Sequence, residues 1–461
     1  MLKLREYQHQ IVDFILQNKR CNLFVPMGMG KTVSVLTAID LLKLFESPFP
    51  VLVIGPLRVI ISTWSDEIEK WPHLSHLRVS VVTGTPAQRK AALQKDADIY
   101  CINYENLPWL DKEVGSNWPF KTVVADECSK LKGFRLGKGT KRAKALAKHI
   151  HKSVDRYIGM TGTPSANGII DTWAITWMVD AGERLGRTFG AFTDRWFRTE
   201  RVGADPHAVR LIPLEFSQTE IEDRIRDISL SFDPTEWFNL DEPIVNTIKV
   251  DLPPKAKSLY QEMETDMFVS LQSGEVEAFN AAGRTLKCLQ IASGALYTEE
   301  DSDEFEVIHD EKIEALKSVV EEANGMPVMV AYHFKSDLVR LKKAFPSGRH
   351  LDKDPQTIRD WNEGKIPLLF CHPQSAGHGL SLQHGGNIIA FFSHWWNLEE
   401  FQQIIERIGP TRQAQSGYNR PVYIYHIIAR NTVDELVMAR RESKREVQDL
   451  LLEAMKLRST K

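Results

Sequence analysis

Between residues 21 and 164, short apolar runs alternate with helical stretches, and this rhythm constrains the fold more than any other feature. The runs cover 21–25, 51–55, 78–82, 98–102, 121–125 and 155–160. Short, nearly uninterrupted apolar strands separated by helices predict a parallel sheet covered on both faces. Ligands of such sheets gather at the carboxyl ends of the strands. The rhythm breaks over 165–245, where Trp173, Trp177, Phe189, Phe192 and Trp196 suggest a small helical region. A strand over 245–252 and helices over 255–272 and 279–292 follow. From 311 the alternation returns, with strands at 327–331, 367–371, 387–392 and 421–428 and helices at 312–323, 335–345, 355–362 and 398–408. An amphipathic, charged helix is expected over 432–457. The fold class is therefore α/β, with two parallel-sheet lobes in tandem, helical insertions and a C-terminal helix. The expected divisions are 1–164 for the first lobe, 165–245 for its helical extension and linker, 246–310 for a helical insertion of the second lobe, and 311–461 for the second lobe with its final helix.

Length agrees with more than one core, since 461 residues exceed an ordinary single domain. The formal net charge of −3 gives no global basic excess, so any contact with nucleic acid must use local patches. The five cysteines are scattered and form no CxxC pair, which predicts reduced thiols, no zinc site and a cytoplasmic setting. No apolar run reaches membrane-spanning length, and no membrane partner is expected.

The first apolar run leads into Val25-Pro26-Met27-Gly28-Met29-Gly30-Lys31-Thr32, and a helical stretch leads out. Glycines between strand and helix let backbone N–H groups approach phosphate oxygens, and the helix start adds its positive dipole end. Lys31 suits the β- and γ-phosphates, and Thr32 offers a hydroxyl to Mg²⁺. The Gly-x4-Gly-Lys-Thr pattern has glycine where this chain has Val25. Before the loop, Gln8 sits on a helical stretch and could read an adenine edge, because its amide both donates and accepts.

The fifth run ends in Asp126-Glu127-Cys128-Ser129, about a hundred residues after the loop. Asp126 is expected to hold Mg²⁺ and Glu127 to orient and deprotonate an attacking water. The sixth run ends in Thr161-Gly162-Thr163-Pro164. From Ser129 to Val154 there is no acidic residue, while Lys130, Lys132, Arg135, Lys138 and five further Lys or Arg fall there. A solvated basic face is the ordinary reading of such a run. Its place directly after the two acids favours contact with a phosphate backbone. The second lobe has no phosphate loop. It offers Gln403, Arg407 and Arg412, with the two arginines near the start and end of an expected loop. Arginine supplied from another domain can offset charge on a γ-phosphate.

In this order the residues resemble the two-lobed superfamily-two helicase-like ATPases, and most of all the Swi/Snf-type double-stranded DNA translocases. The resemblance spans nearly the whole chain. Leu4-Arg5-x-Tyr7-Gln8 looks like the adenine-reading entry motif. Met27-Gly28-Met29-Gly30-Lys31-Thr32 matches the family's Met-Gly-Leu-Gly-Lys-Thr loop, which accounts for Val25. Asp126-Glu127-Cys128-Ser129 stands for Asp-Glu-Ala-His. Thr161-Gly162-Thr163-Pro164 with Asn167 looks like the third motif, and Ala376-Gly377-x-Gly379-Leu380-Ser381-Leu382-Gln383 with Trp396-Asn397 like the fifth and its sequel. Gln403-x-x-x-Arg407 looks like the sixth. Its second arginine is expected three residues on, where this chain has Pro410, and Arg412 is the next. The resemblance implies RecA-like lobes and ATP with Mg²⁺ bound by Gln8, Met27, Gly28, Met29, Gly30, Lys31, Thr32, Asp126 and Gly379. It implies duplex DNA held along Arg58, Tyr104, Lys130, Lys132, Arg135, His333, Gln374 and Ser375. The expected activity is ATP-driven translocation along duplex DNA by a monomer, in replication, recombination or repair, with a nuclease or replication and recombination proteins as partners. A strand-separating DNA or RNA helicase is one alternative. A nucleotide-gated DNA-binding scaffold with weak hydrolysis is another. The compact form suggests a bacterial or phage-infected cell.

Overall fold

The computed structural model describes residues 3–454, apart from 27, 58, 166–167, 202–208, 233, 238–239, 274–277, 299–302, 353 and 374–379. The chain forms two compact units. The first holds residues up to Arg198 together with Leu211–Trp237 and the chain from Lys444 on, and the second holds Thr199–Arg210 and Phe238–Ser443.

In the first unit the apolar runs become strands β1 (Arg20–Phe24), β2 (Val51–Gly55), β3 (Val79–Val82), β4 (Ile99–Asn103) and β5 (Thr122–Asp126). A small antiparallel hairpin, β6 (Phe134–Arg135) and β7 (Lys138–Gly139), follows, and then β8 (Arg156–Met160). β9 (Phe197–Arg201) and β10 (Val209–Pro213) pair as a ribbon, and β11 (Ser229–Ser231) completes the set. Seven strands make one parallel sheet in the order β11-β1-β8-β5-β2-β4-β3. Every residue of β2, β4, β5 and β8 is buried, as expected of strands covered on both faces. At the edge, β3 alternates between buried and half-buried positions.

The helical tract expected over 165–245 therefore contains strands, and one of them extends the first sheet. The helix Thr172–Asp180 is buried over nearly its whole surface, and Trp173, Phe192 and Trp196 do form core there.

The second unit is a six-stranded parallel sheet. Its strands are β12 (Ile244–Val250), β15 (Val328–Ala331), β16 (Arg349–His350), β17 (Leu368–Cys371), β18 (Ile388–Phe391) and β19 (Tyr423–Ala429), in the order β12-β19-β18-β15-β17-β16. A separate antiparallel pair, β13 (Ala295–Tyr297) and β14 (Phe305–Val307), lies outside it. The helices Glu311–Glu322, Lys335–Ala344, Pro355–Asn362 and Leu398–Ile408 fall where the apolar spacing predicts them, and Val433–Ala454 closes the described chain. Within this core Lys312 and Asp434, both fully buried, pair at 2.6 Å, and Asp434 also accepts from the Ala429 N–H at 2.9 Å. No helix among the described residues is long and apolar enough to cross a membrane.

Candidate functional site

The first unit brings the loop and the acids to neighbouring strands. β1 ends at the glycine loop, β8 at Thr161 and β5 at Asp126-Glu127, and these three strands are adjacent in the sheet. The loop turns on Gly28 (φ +81°) and Gly30 (φ +67°), both left-handed, and Gly30 is the N-cap of the helix Lys31–Leu42. A Cβ on Gly30 would come within 2.0 Å of the Gln8 amide nitrogen. Gln8 therefore lies against the loop, as the sequence suggests. Its carbonyl oxygen already accepts from the Arg5 N–H at 2.8 Å, so the NH₂ end is the one facing the loop. The Lys31 ammonium donates to Val25 O at 2.6 Å and Pro26 O at 3.2 Å, closing the loop on itself, and Thr32 is half-exposed on the first turn of the helix.

Asp126 and Glu127 are each 7% exposed. Burial pushes the Asp126 carboxyl pKa up, while Lys31 and the Trp64 indole N–H, which donates to its Oδ2 at 3.1 Å, oppose that rise. Glu127 follows at φ +58°, ψ +56°, a left-handed conformation rare for a residue with a side chain. The Thr161 hydroxyl donates to Glu127 Oε2 at 3.3 Å while its oxygen accepts from the Thr163 N–H at 3.1 Å. Trp64 had no sequence signal to mark it, because 62 residues separate it from Asp126.

A nucleotide with Mg²⁺ fits this set. Mg²⁺ is held by hard oxygen donors, few of them from protein, with phosphates and water supplying the rest. The buried Asp126 carboxyl, which feels the charge of Lys31, and the Thr32 hydroxyl on the first turn after the loop are donors of that kind.

In the second unit Gln403 and Arg407 lie one turn apart on the helix Leu398–Ile408, each 2% exposed. Asn397 caps that helix, its side-chain oxygen accepting from the N–H groups of Glu399 and Glu400. Gln403 donates to Glu399 Oε1 at 3.4 Å. No loop separates the two arginines as expected. After Gly409, Pro410 opens a second short helix, Pro410–Gln415, which carries Arg412. Both guanidiniums donate to one carbonyl, Leu380 O, at 3.4 Å from Arg407 and 3.2 Å from Arg412. Two residues that sequence reasoning missed secure this corner. The Gln413 amide donates to the carbonyls of Gln383, Gly386 and Ile408 at 2.9–3.2 Å, and Arg420 donates to Gln413 Oε1 at 2.9 Å and Gln383 O at 2.7 Å. Gln413→Leu keeps the volume and strips these bonds. It is expected to lower unfolding free energy by about 1–3 kcal/mol, read from the urea midpoint. An unchanged midpoint would show that other donors replace the amide.

The basic tract is corrected by the structure, because acids from elsewhere in the chain meet it. Asp111 pairs with Lys148 and His149, Glu105 with Arg142 at 3.5 Å, and Asp171 with Lys132 at 4.0 Å. Arg135 lies 3.5 Å over the Phe189 ring and donates to Lys132 O at 2.9 Å, so it anchors the β6–β7 hairpin rather than a ligand. Tyr104 is fully buried and its hydroxyl donates to Asp126 O at 2.9 Å; it supports the acid and reaches no surface. The His333 ring stacks between His372 and Trp395, and burial, aided by His372 and Arg441, pulls its pKa down to about 4. It is thus a neutral packing group at pH 7 and a poor phosphate ligand. Lys130 is half-exposed beside the Glu127 turn. Met27, Arg58, Asn167, Gln374, Ser375 and Gly379 lie outside the described residues.

Comparison with known proteins adds family evidence. Residues 7–317 match the model of the SNF2-related domain. Protein p41 of Acyrthosiphon pisum secondary endosymbiont phage 1 is 55% identical over 98% of this chain and 98% of its own length. The uncharacterized ATP-dependent helicase MG018 of Mycoplasma genitalium is 25% identical over 96% of this chain, which spans 42% of that protein. Among solved structures, the Sulfolobus solfataricus SWI2/SNF2 ATPase core in complex with dsDNA aligns with 98% of this chain and 94% of its own at 21% identity and a TM-score of 0.44.

Proposed function

The chain belongs to the SNF2-related domain family of Swi/Snf-type ATPases, helicase/translocase-type enzymes, and from that premise we propose that it is an ATP-driven translocase on duplex DNA. The observation that carries the proposal is the meeting of Lys31, Asp126, Glu127 and Thr161 at the ends of three adjacent parallel strands. Bound ATP would supply the phosphoryl group, and Mg²⁺ would offset charge on its phosphates. Gly28, Gly30 and Lys31 would hold the phosphates, Thr32 and Asp126 would hold the metal, and Glu127 would take a proton from the attacking water. Gln8 fixes the base end through its NH₂ group. Arg407 and Arg412 would offset charge on the γ-phosphate, with Gln403 one helical turn from Arg407. Lys130 and the exposed lysines after it hold the DNA backbone, so affinity falls steeply with salt and sequence preference is slight.

ATP turnover measured side by side with duplex DNA, single-stranded DNA and RNA tests the reading. Duplex is expected to stimulate most, and Lys31→Ala to lower the stimulated rate by roughly 10²- to 10³-fold. A Lys31→Ala protein that kept its DNA-stimulated turnover would overturn the assignment. Triplex displacement without strand displacement is the expected motor output; the reverse result would make it a strand-separating helicase.

A further inference from the structure

We propose that the β6–β7 hairpin is a groove-probing contact for duplex DNA: Leu136 at its tip enters a groove while Lys138 and Lys141 hold the flanking phosphates. The proposal rests on duplex DNA being the track.

The base of the hairpin is built to stay still. Phe134 is buried, stacked on Trp173 at 5.8 Å with an interplanar angle of 8° and packed on Trp177 at 4.5 Å. Arg135 presses its guanidinium on Phe189 and ties itself to backbone carbonyls. Gly139 (φ +92°) passes so close to the opposite strand that a Cβ there would stand 2.3 Å from Gly133 O.

The tip is the opposite. With Arg135 paired to Lys138, only Leu136 and Gly137 make the turn, and Gly137 (φ +74°) takes the position that needs a left-handed residue. A Cβ on Gly137 would meet nothing within 4 Å, so the turn projects into open space. Leu136 is 52% exposed there. An exposed leucine alone is ordinary. This one occupies a turn where polar residues usually sit, on a rigid stalk. Lys138 follows the turn directly and Lys141 opens the next helix two residues after β7; both are exposed and make no ion pair among the described residues, unlike Lys132, Arg142 and Lys148.

Charge complementarity selects a polyanion as the occupant. An aliphatic tip among lysines matches the wedge by which proteins unstack base steps without reading sequence. Position adds a consequence. The hairpin follows the single turn Cys128–Leu131 that starts at Glu127, and the Lys130 N–H donates to Glu127 O at 3.0 Å. A load at the tip therefore acts on the segment that carries the catalytic carboxylate.

The test uses the full chain and a blunt 40-base-pair duplex carrying 2-aminopurine, with anisotropy for binding and ATP turnover for stimulation. Wild type is expected to raise the 2-aminopurine signal about twofold on binding, as bases unstack. Leu136→Ser is expected to remove that rise and to cut DNA stimulation about tenfold, relative to its own DNA-independent rate. Lys138→Ala is expected to lower the slope of log K against log salt by about 0.9. Leu136 is exposed, so loss of folding is not the anticipated cause, and an unchanged melting curve checks this. If duplex stimulates wild type and Leu136→Ser equally, with equal 2-aminopurine signals, the hairpin proposal falls while the duplex reading stands. If duplex fails to stimulate wild type, both fall. A tip that serves another protein instead would give the first of these outcomes.

Discussion

Arg407→Ala is expected to lower the DNA-stimulated turnover number by roughly 10³- to 10⁵-fold, with the KM for ATP far less affected. The expectation comes from where the guanidinium is kept. Arg407 closes a helix whose start is fixed by Asn397, and its side chain is 2% exposed. One of its bonds, to Leu380 O, is long at 3.4 Å, and a charged phosphate oxygen is a stronger acceptor than a backbone carbonyl. Arg412 shares the same acceptor at 3.2 Å but starts from a separate helix beyond Pro410. Burial pulls its pKa down and Glu406 opposes this, yet a guanidinium stays cationic at neutral pH. Arg412 thus sits where it can support Arg407, and Arg412→Ala is expected to cost about two orders of magnitude less. Arg407→Lys is not expected to rescue, since an ammonium lacks the planar fork. A larger loss in Arg412→Ala than in Arg407→Ala would exchange their roles. Near wild-type turnover in both would remove the second unit from the chemistry.

Runs of four to six apolar residues buried on both faces announce themselves, and β1 to β5 and β8 fall within a residue or two of expectation. β11 does not, because it is Ser229-Leu230-Ser231, with buried hydroxyls in place of an apolar run. β16 is two residues long and has no periodicity to read. The loop and the acids were legible because each residue type at each spacing has a chemical purpose. Their supports were not: Trp64 reaches Asp126 across the fold, and Gln413 and Arg420 act on backbone carbonyls, which have no sequence signature. Charge was the most misleading signal. A stretch without acids reads as a bare basic face until Glu105, Asp111 and Asp171 arrive from other elements and pair with part of it. Lys138, beside the hairpin tip, is among those left without an ion pair among the described residues, a distinction that counting lysines could not make.

Glu127→Gln is expected to reduce turnover by roughly 10²- to 10⁴-fold while ATP still binds. Glutamine keeps the length and polarity of the side chain, and the left-handed backbone at this position burdens both residues alike. The loss therefore reports the carboxylate as proton acceptor, rather than a change of fold. Thr161 separates orientation from proton transfer. Its oxygen is held by the Thr163 N–H, which leaves its own proton for Glu127 Oε2. Thr161→Val removes that bond and retains the base, so its loss is expected to be smaller, on the order of tenfold, and to fall on kcat rather than KM. In the double variant the two losses are expected to fall short of multiplying, because a glutamine that cannot accept the proton gains little from being aimed. Full multiplication would mean that Thr161 acts on the reaction by a route other than Glu127. Wild-type turnover in Glu127→Gln would move the base to another residue, and the strained turn after β5 would then need a different explanation.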